Sequence, residues 1–216
     1  MEDVLEVYQR PYDPRYPVIC LDEKGKELHA TPAGREALPA QPGKRGAGRV
    51  RQDYEYKRAG SANLLLMCEP LRGWRKVVVS QDRNGRSFAK VIQQLVDVDY
   101  PKAEKIVLVT DNLNIHGCWS LYEAFDPAMA RRIANRVEWH YTPEHGSWLN
   151  MAEIELSALE RQCLGRRFDN EAILHSECEA WVVQRNQQLI KIHWQFTAPD
   201  ARIRLRRLYP VIQEIT

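Results

Sequence analysis

Features that would place this chain of 216 residues in a membrane or in an oxidising compartment are missing. No apolar run approaches the roughly 20 residues needed to cross a bilayer, and no signal peptide is recognisable, so we expect no membrane partner. The five cysteines are scattered and form no C-x-x-C pair. Their odd number and their spacing favour free thiols in a reducing cytoplasm over disulfides or a zinc site.

Motifs for catalysis by a single nucleophilic residue are missing as well. The sequence contains no G-x-S-x-G, no cysteine has a histidine neighbour in a convincing context, and the six histidines lack the paired spacing of zinc ligands. These absences argue against single-residue nucleophile schemes and against zinc enzymes.

An excess of charge of either sign is also lacking. The 31 lysines and arginines nearly balance the 29 aspartates and glutamates, and the net charge of +2 does not identify a nucleic-acid binder. An apolar content of 44% is ordinary for a globular protein, and the length suffices for one sizeable core without requiring a second domain.

The most informative stretch that is present is 106–116, with the sequence IVLVTDNLNIH. Its short apolar run is typical of a strand buried on both faces, and ligands of open α/β sheets gather beyond the carboxyl ends of such strands. Asp111, directly after the strand, is therefore a candidate catalytic carboxylate. The same residue could also cap a following helix or turn.

A second apolar run, at 17–21, ends in Asp22 and Glu23. Lys24 and Gly25 follow, and this pair predicts a tight hairpin turn directly after the strand. Two buried strands that each end in an aspartate favour one site at which Asp22 and Asp111 meet.

The remaining pattern predicts a mixed sheet rather than a repeating βαβ array. Strand-like runs joined by a short turn that contains a glycine come first, and helices then alternate with strands. The predicted strands cover 63–70, 75–80, 105–110 and 137–141, and the predicted helices cover 87–98, 128–136, about 150 onward and 170–189. We therefore predict an α/β fold with a central mixed sheet of about five strands flanked by helices.

A third carboxylate, Glu153, lies in the first turn of the helix that starts near Asn150. Asn150 and Glu153 could form a capping box, in which Glu153 only stabilises the start of the helix. Alternatively, Glu153 faces Asp22 and Asp111. Three such carboxylates suit Mg²⁺ or Mn²⁺, and two ions about 4 Å apart could clamp the attacking and leaving oxygens of a phosphoryl displacement.

Three motifs together resemble the DDE-superfamily transposases of bacterial insertion sequences, in the branch related to the mariner-like elements. They are VICLDE at 18–23, LVTDNLNIH at 108–116 and YTPEHGSWLNMAE at 141–153. The resemblance covers nearly the whole chain, as a catalytic domain. It implies an RNase H-like fold and an Asp, Asp, Glu triad, here Asp22, Asp111 and Glu153, which would be the catalytic residues and the ligands of two Mg²⁺ or Mn²⁺ ions.

The spacing leaves the third acid open. The interval from Asp111 to Glu153 is longer than in the mariner-like pattern, and we place the extra residues around 119–134. If that placement is wrong, Glu144 or Glu155 could be the third acid.

The resemblance implies a function in DNA transposition. Metal-activated water would cleave a phosphodiester at a transposon end, and the freed 3′-hydroxyl would then attack target DNA. Members of the family usually act as dimers, so a homodimer is expected. Two alternatives stay open: a nuclease of the same fold that cuts without joining, and a non-catalytic remnant that binds DNA or a partner chain.

Basic residues of two segments are candidate contacts for DNA phosphates. The segment 31–51 has no clear period and predicts a long mobile loop with a basic tip, although it could simply be solvated. The tail from Thr197 is also basic. With two motif histidines, the candidate DNA-binding residues are Lys44, Arg45, Arg49, Arg51, His116, His145, Arg204 and Arg206.

The sequence also predicts a division of the chain. Residues 1–16 have the pattern of a helix remnant followed by an extended linker, and 17–216 would form the catalytic domain. Family members usually carry an N-terminal helix-turn-helix region that recognises the element's terminal repeats. Residues 1–16 are too short for such a region, so we expect the chain to represent the catalytic half alone.

Overall fold

The structure, a computed structural model, describes residues 1–33 and 54–209 and contains one mixed sheet of five strands. The strands are β1 (Val18–Ala30), β2 (Lys57–Glu69), β3 (Trp74–Ser80), β4 (Ile106–Thr110) and β5 (Val137–Tyr141). Their spatial order is β3-β2-β1-β4-β5. β1 is central, antiparallel to β2 and parallel to β4. The predicted mixed five-stranded sheet is confirmed.

Seven α-helices of the described chain flank this sheet. They are α1 (Glu2–Gln9), α2 (Gly85–Gln94), α3 (Cys118–Ala124), α4 (Pro127–Ala134), α5 (Ala152–Leu159), α6 (Glu171–Gln187) and α7 (Ala198–Arg204). Single π-helical turns extend α2 through Asp99 and α5 through Leu164. None of the helices in the part described is long and apolar enough to cross a membrane.

Helices cover both faces of the sheet, and successive side chains of each strand point to opposite faces. Cys20 of β1 faces a cluster built with α1, α5, α6 and α7, whereas its neighbours Ile19 and Leu21 face a second cluster built with α2, α3 and α4. All five residues of β4 are buried. This double coverage explains why β4 is the continuous apolar run that the sequence shows.

The turn predicted at Lys24 and Gly25 is wrong. β1 continues to Ala30, Gly25 pairs with Asn63 of β2, and Asp22 pairs with Leu66. The tight turn requires positive φ at its centre, whereas Gly25 stays in the extended ladder. The polar half of β1 is strand because its backbone groups bond to β2, a long-range pairing that local residue types do not reveal.

The hairpin between β2 and β3 is confirmed. Its turn contains Gly73, whose φ is +75°. A Cβ atom at this position would lie 2.6 Å from the backbone carbon of Leu189, so both the conformation and the close approach require glycine.

α3 and α7 have no counterpart among the predicted helices. α3 gave no helical signal because its seven residues bury mainly Leu121 and show no apolar period. α1 buries Val4, Leu5 and Val7 in the same cluster as α5. The first residues therefore pack against the sheet layer, and the boundary proposed after residue 16 stays a prediction.

A buried ion network joins β3, α5 and α6. Glu155 of α5 is fully buried and accepts hydrogen bonds from Arg75 at 2.9 and 3.1 Å and from Arg185 at 2.9 Å to each oxygen. Arg75, itself buried, also donates to backbone carbonyls of Gly73 and Ile190. The network fixes α5 against the sheet and fully occupies the Glu155 carboxylate.

We predict that Glu155→Ala lowers the free energy of unfolding by about 3–5 kcal/mol, because it leaves two buried guanidinium groups without their anion. The matched control is Glu160→Ala. Glu160 pairs with Lys24 at 3.3 Å at the surface, and its loss should cost less than about 1 kcal/mol. Chemical denaturation of both variants checks this, and equal losses would contradict the structural role of Glu155.

Candidate active site

The sheet brings Asp22 and Asp111 to one end of two neighbouring strands. β1 and β4 are parallel, and Cys20 pairs with Val109. Asp22 and Asp111 each lie two residues beyond that pair, so the same register places them side by side. Asp22 lies within β1 rather than at its end, whereas Asp111 directly follows the end of β4.

Asn150 holds the start of α5 against β1. It is buried, and its side-chain nitrogen donates to the Leu21 carbonyl at 2.8 Å and to Asp22 Oδ2 at 3.3 Å. Its side-chain oxygen accepts from the Ala152 N–H at 3.1 Å. The predicted capping box is replaced by this anchor, since the Asn150 side chain spans from β1 to the helix. The anchor places the first turn of α5, with Glu153, beside Asp22.

Burial and two other carboxylates act on the charge of Asp22. Burial raises the pKa of Asp22 to about 7, and the negative charges of Glu153 and Asp111 add to the effect. The backbone N–H of Glu23, which donates to Asp22 Oδ1 at 2.8 Å, and the nearby His116 oppose it. Asp22 is only 6% exposed, so water relieves little of the repulsion.

This donor set fits a divalent cation. Three carboxylates provide the hard oxygens that Mg²⁺ and Mn²⁺ prefer, and a cation would offset the burial and the neighbouring negative charges that raise the pKa of Asp22. In residues 1–33 and 54–209, no three His, Cys, Asp or Glu side chains are drawn together as closely as metal ligands. Binding would therefore require the carboxylates to approach one another.

The other two candidates for the third acid lie in different surroundings. Glu144 is 91% exposed and its nearest charged partner is His145 at 3.8 Å. Glu155 is held by its two arginines. Of these three glutamates, Glu153 is the one whose negative charge raises the pKa of Asp22.

The predicted DNA contacts do not form one group. Lys44, Arg45, Arg49 and Arg51 lie outside the described residues. Arg204 ends α7 and Arg206 follows it, and both are exposed. α7, which ends in Arg204, packs against α1.

The two histidines of this set have opposite environments. His145 is 93% exposed, with a positive φ of 58°, and so presents its ring to solvent beside the start of α5. His116 is fully buried, which contradicts its predicted contact with DNA. Its ring packs 4.8 Å from that of Phe88, and its Nδ1 contacts Asp111 Oδ1. The sequence does not indicate that His116 is buried, because it is a polar residue in a loop.

Three basic residues beside the acids were not singled out from the sequence. Arg83 pairs with Glu23, Lys24 pairs with Glu160, and Arg161 donates to Ser157 Oγ at 2.6 Å. Lys24 and Arg161 line an open cleft next to Glu153. The spacing of Glu153, Ser157 and Arg161, four residues apart each time along one helix, is a signal that could have identified Arg161.

Comparison with family models identifies a match over most of the chain. Residues 17–175 match the family described as DDE superfamily endonuclease. No curated protein has a sequence significantly similar to the chain.

Among solved structures, the chain is similar to "Mos1 transposase paired-end complex with left transposon end", with a TM-score of 0.52, 14% identity and coverage of 88% of this chain and 56% of that chain. "Crystal structure of the Mos1 Strand Transfer Complex" matches at a TM-score of 0.32 and 11% identity, over 87% of this chain and 57% of that chain. The chain thus spans a little over half the length of these structures. The first similarity supports the fold alone, which is RNase H-like as predicted.

We predict that metal-free protein loses stability as the pH rises, because of Asp22. The folded pKa of about 7 lies above the ordinary value of 3.8, so the folded state holds the proton more tightly. Its contribution is fully present below about pH 4 and is lost as the pH rises to 7 and above, by on the order of 4 kcal/mol.

Urea denaturation between pH 4 and 8 gives the free energy of unfolding of wild type and of Asp22→Asn. We expect the variant to become more stable relative to wild type as the pH rises. Asp97→Asn is the control. The Arg132 guanidinium holds the pKa of Asp97 below its usual range, so its difference from wild type should stay flat between pH 5 and 8. A flat Asp22→Asn difference would contradict the crowding of carboxylates around Asp22.

Proposed function

The chain belongs to the DDE superfamily endonucleases, and we propose that it is the catalytic domain of a transposase that cuts and joins DNA. The observation that carries the proposal is that Asp22 and Asp111 each lie two residues beyond the Cys20–Val109 pair of two parallel strands, while Asn150 ties the helix of Glu153 to the Leu21 carbonyl. Three acids from β1, β4 and α5 form an anionic site without a nucleophile of the protein's own. Such a site suits phosphoryl transfer between oxygen atoms.

Asp22, Asp111 and Glu153 would hold two Mg²⁺ or Mn²⁺ ions. When bound, such ions supply Lewis acidity and neutralise charge at the phosphodiester. Asp22 and Asp111, each two residues beyond a residue pair of parallel strands, would hold the ions together with Glu153. Asn150 keeps Glu153 in reach by tying α5 to the Leu21 carbonyl.

DNA is the proposed partner, held by its backbone near the acids. Lys24, Arg83 and Arg161 surround the carboxylates, and the Arg83 side chain is 60% exposed. Such contacts position phosphates without reading the sequence and weaken as salt rises. His145 is exposed on the loop that precedes Glu153 and would add a further contact.

Finer features of the proposal follow from the sequence motifs. They are an origin in a bacterial insertion sequence of the mariner-related branch, residence in the cytoplasm, and action as a homodimer on transposon ends and target DNA. The similar solved structure is named as a complex with a transposon end, which supports DNA of this kind as the substrate.

We predict that Asp111→Asn and Glu153→Gln abolish Mn²⁺-dependent joining of a pre-cleaved DNA end to a plasmid. Loss of a ligand should exceed the ~10–100-fold cost of losing an outer-shell partner. Glu144→Gln, which changes an exposed acid of the same motif, should retain the wild-type rate.

The assay uses a labelled pre-cleaved DNA end and detects joining as the appearance of the label in the plasmid band on a gel. Full activity of Asp111→Asn, or equal losses in Glu144→Gln and Glu153→Gln, would contradict the assigned triad. Nicking of the plasmid without any joined product would instead identify a nuclease that cuts and does not join.

A further inference from the structure

His116 lies inside the protein, in contact with Asp111. The chain turns after β4, with the His116 N–H bonded to the Leu113 carbonyl at 2.9 Å, and this turn points the imidazole inward. The ring is fully buried and packs against Phe88 of α2. It therefore does not reach solvent or DNA, and its polar atoms act on neighbouring protein groups.

The ring binds one oxygen of Asp111. A carboxylate only accepts hydrogen bonds, so His116 Nδ1 donates to Asp111 Oδ1. The Leu113 N–H approaches the same oxygen at 3.4 Å. Among the described residues, no protein group hydrogen-bonds to Oδ2. One oxygen of Asp111 is thus held by the protein, and the other is left for a ligand.

The opposite edge of the ring faces Glu23. His116 Nε2 is buried without a hydrogen-bond partner in the described chain, and Glu23 Oε2 lies 3.8 Å away. Glu23 is in turn fixed by Arg83 and by the Asn63 side-chain nitrogen at 3.2 Å. The imidazole therefore lies between Asp111 and Glu23, and Glu23 directly follows Asp22 in β1.

We propose that His116 is a positioning residue that orients Asp111 for binding a divalent cation. The inference rests on the proposed function, since it concerns the same site. Partners behind a ligating carboxylate fix its direction, and their removal typically weakens metal affinity or activity about 10–100-fold. His116 would act through its Nδ1 donor alone, with the buried ring providing rigidity.

The position of the donor gives a sharp test. The side-chain amide of Asn lies as far from Cα as Nδ1 does, whereas that of Gln reaches the position of Nε2. His116→Asn should therefore bind Mn²⁺ within about 3-fold of wild type, and His116→Gln and His116→Ala should bind it about 10–100-fold more weakly. Calorimetric titration of Mn²⁺ into the DNA-free protein gives these affinities without relying on catalysis.

A control separates positioning from stability. Ile133→Val removes a methylene group from the core of α4, which should lower the melting temperature while leaving the Mn²⁺ affinity unchanged. Affinities that follow the melting temperature across all four variants, equal affinities of the Asn and Gln variants, or a wild type that binds no Mn²⁺ would each overturn the proposal. Wild type that binds Mn²⁺ but neither cuts nor joins DNA would contradict the proposed function and leave the role of His116 supported.

Discussion

The parallel pairing of β1 with β4 is the constraint on which the site depends. It places Asp22 and Asp111 side by side, because each lies two residues beyond the pair formed by Cys20 and Val109. The helices on both faces bury these strands and make the register rigid. Glu153 depends on the same strands, since Asn150 ties its helix to the carbonyl of Leu21. The sheet and the side chain of Asn150 thus set the positions of Asp22, Asp111 and the start of α5.

Burying Asp22 costs stability at neutral pH, and the rest of the fold offsets that cost. Burial, together with the negative charges of Glu153 and Asp111, raises the pKa of Asp22 to about 7. The buried network of Arg75, Glu155 and Arg185 keeps α5 in place from the side opposite the site. Two glutamates in the same turn of α5 therefore have different roles. Arg75 and Arg185 neutralise Glu155, whereas a bound cation would neutralise Glu153.

Much of the site could be predicted from the sequence, because its features are local. Asp111 follows an apolar run, and Glu153 is the last residue of a long, specific motif at 141–153. The continuation of β1 beyond Asp22 could not be predicted, because its polar half is stabilised by pairing with β2. The burial of His116 depends on Phe88, which is distant in sequence, and Arg83 approaches the site only through the loop before α2. Each of these missed features is a long-range contact, which residue types in a short window do not encode.

A crystal structure of the protein soaked in Mn²⁺, with anomalous diffraction, tests the central claim most directly. We expect manganese between Asp22, Asp111 and Glu153, with the three carboxylates drawn closer than in the metal-free protein. Glu155 should remain bound to its two arginines. Manganese bound at Glu144 or Glu155, or an empty site with the three carboxylates held apart, would contradict a metal centre built by the pairing of β1 and β4.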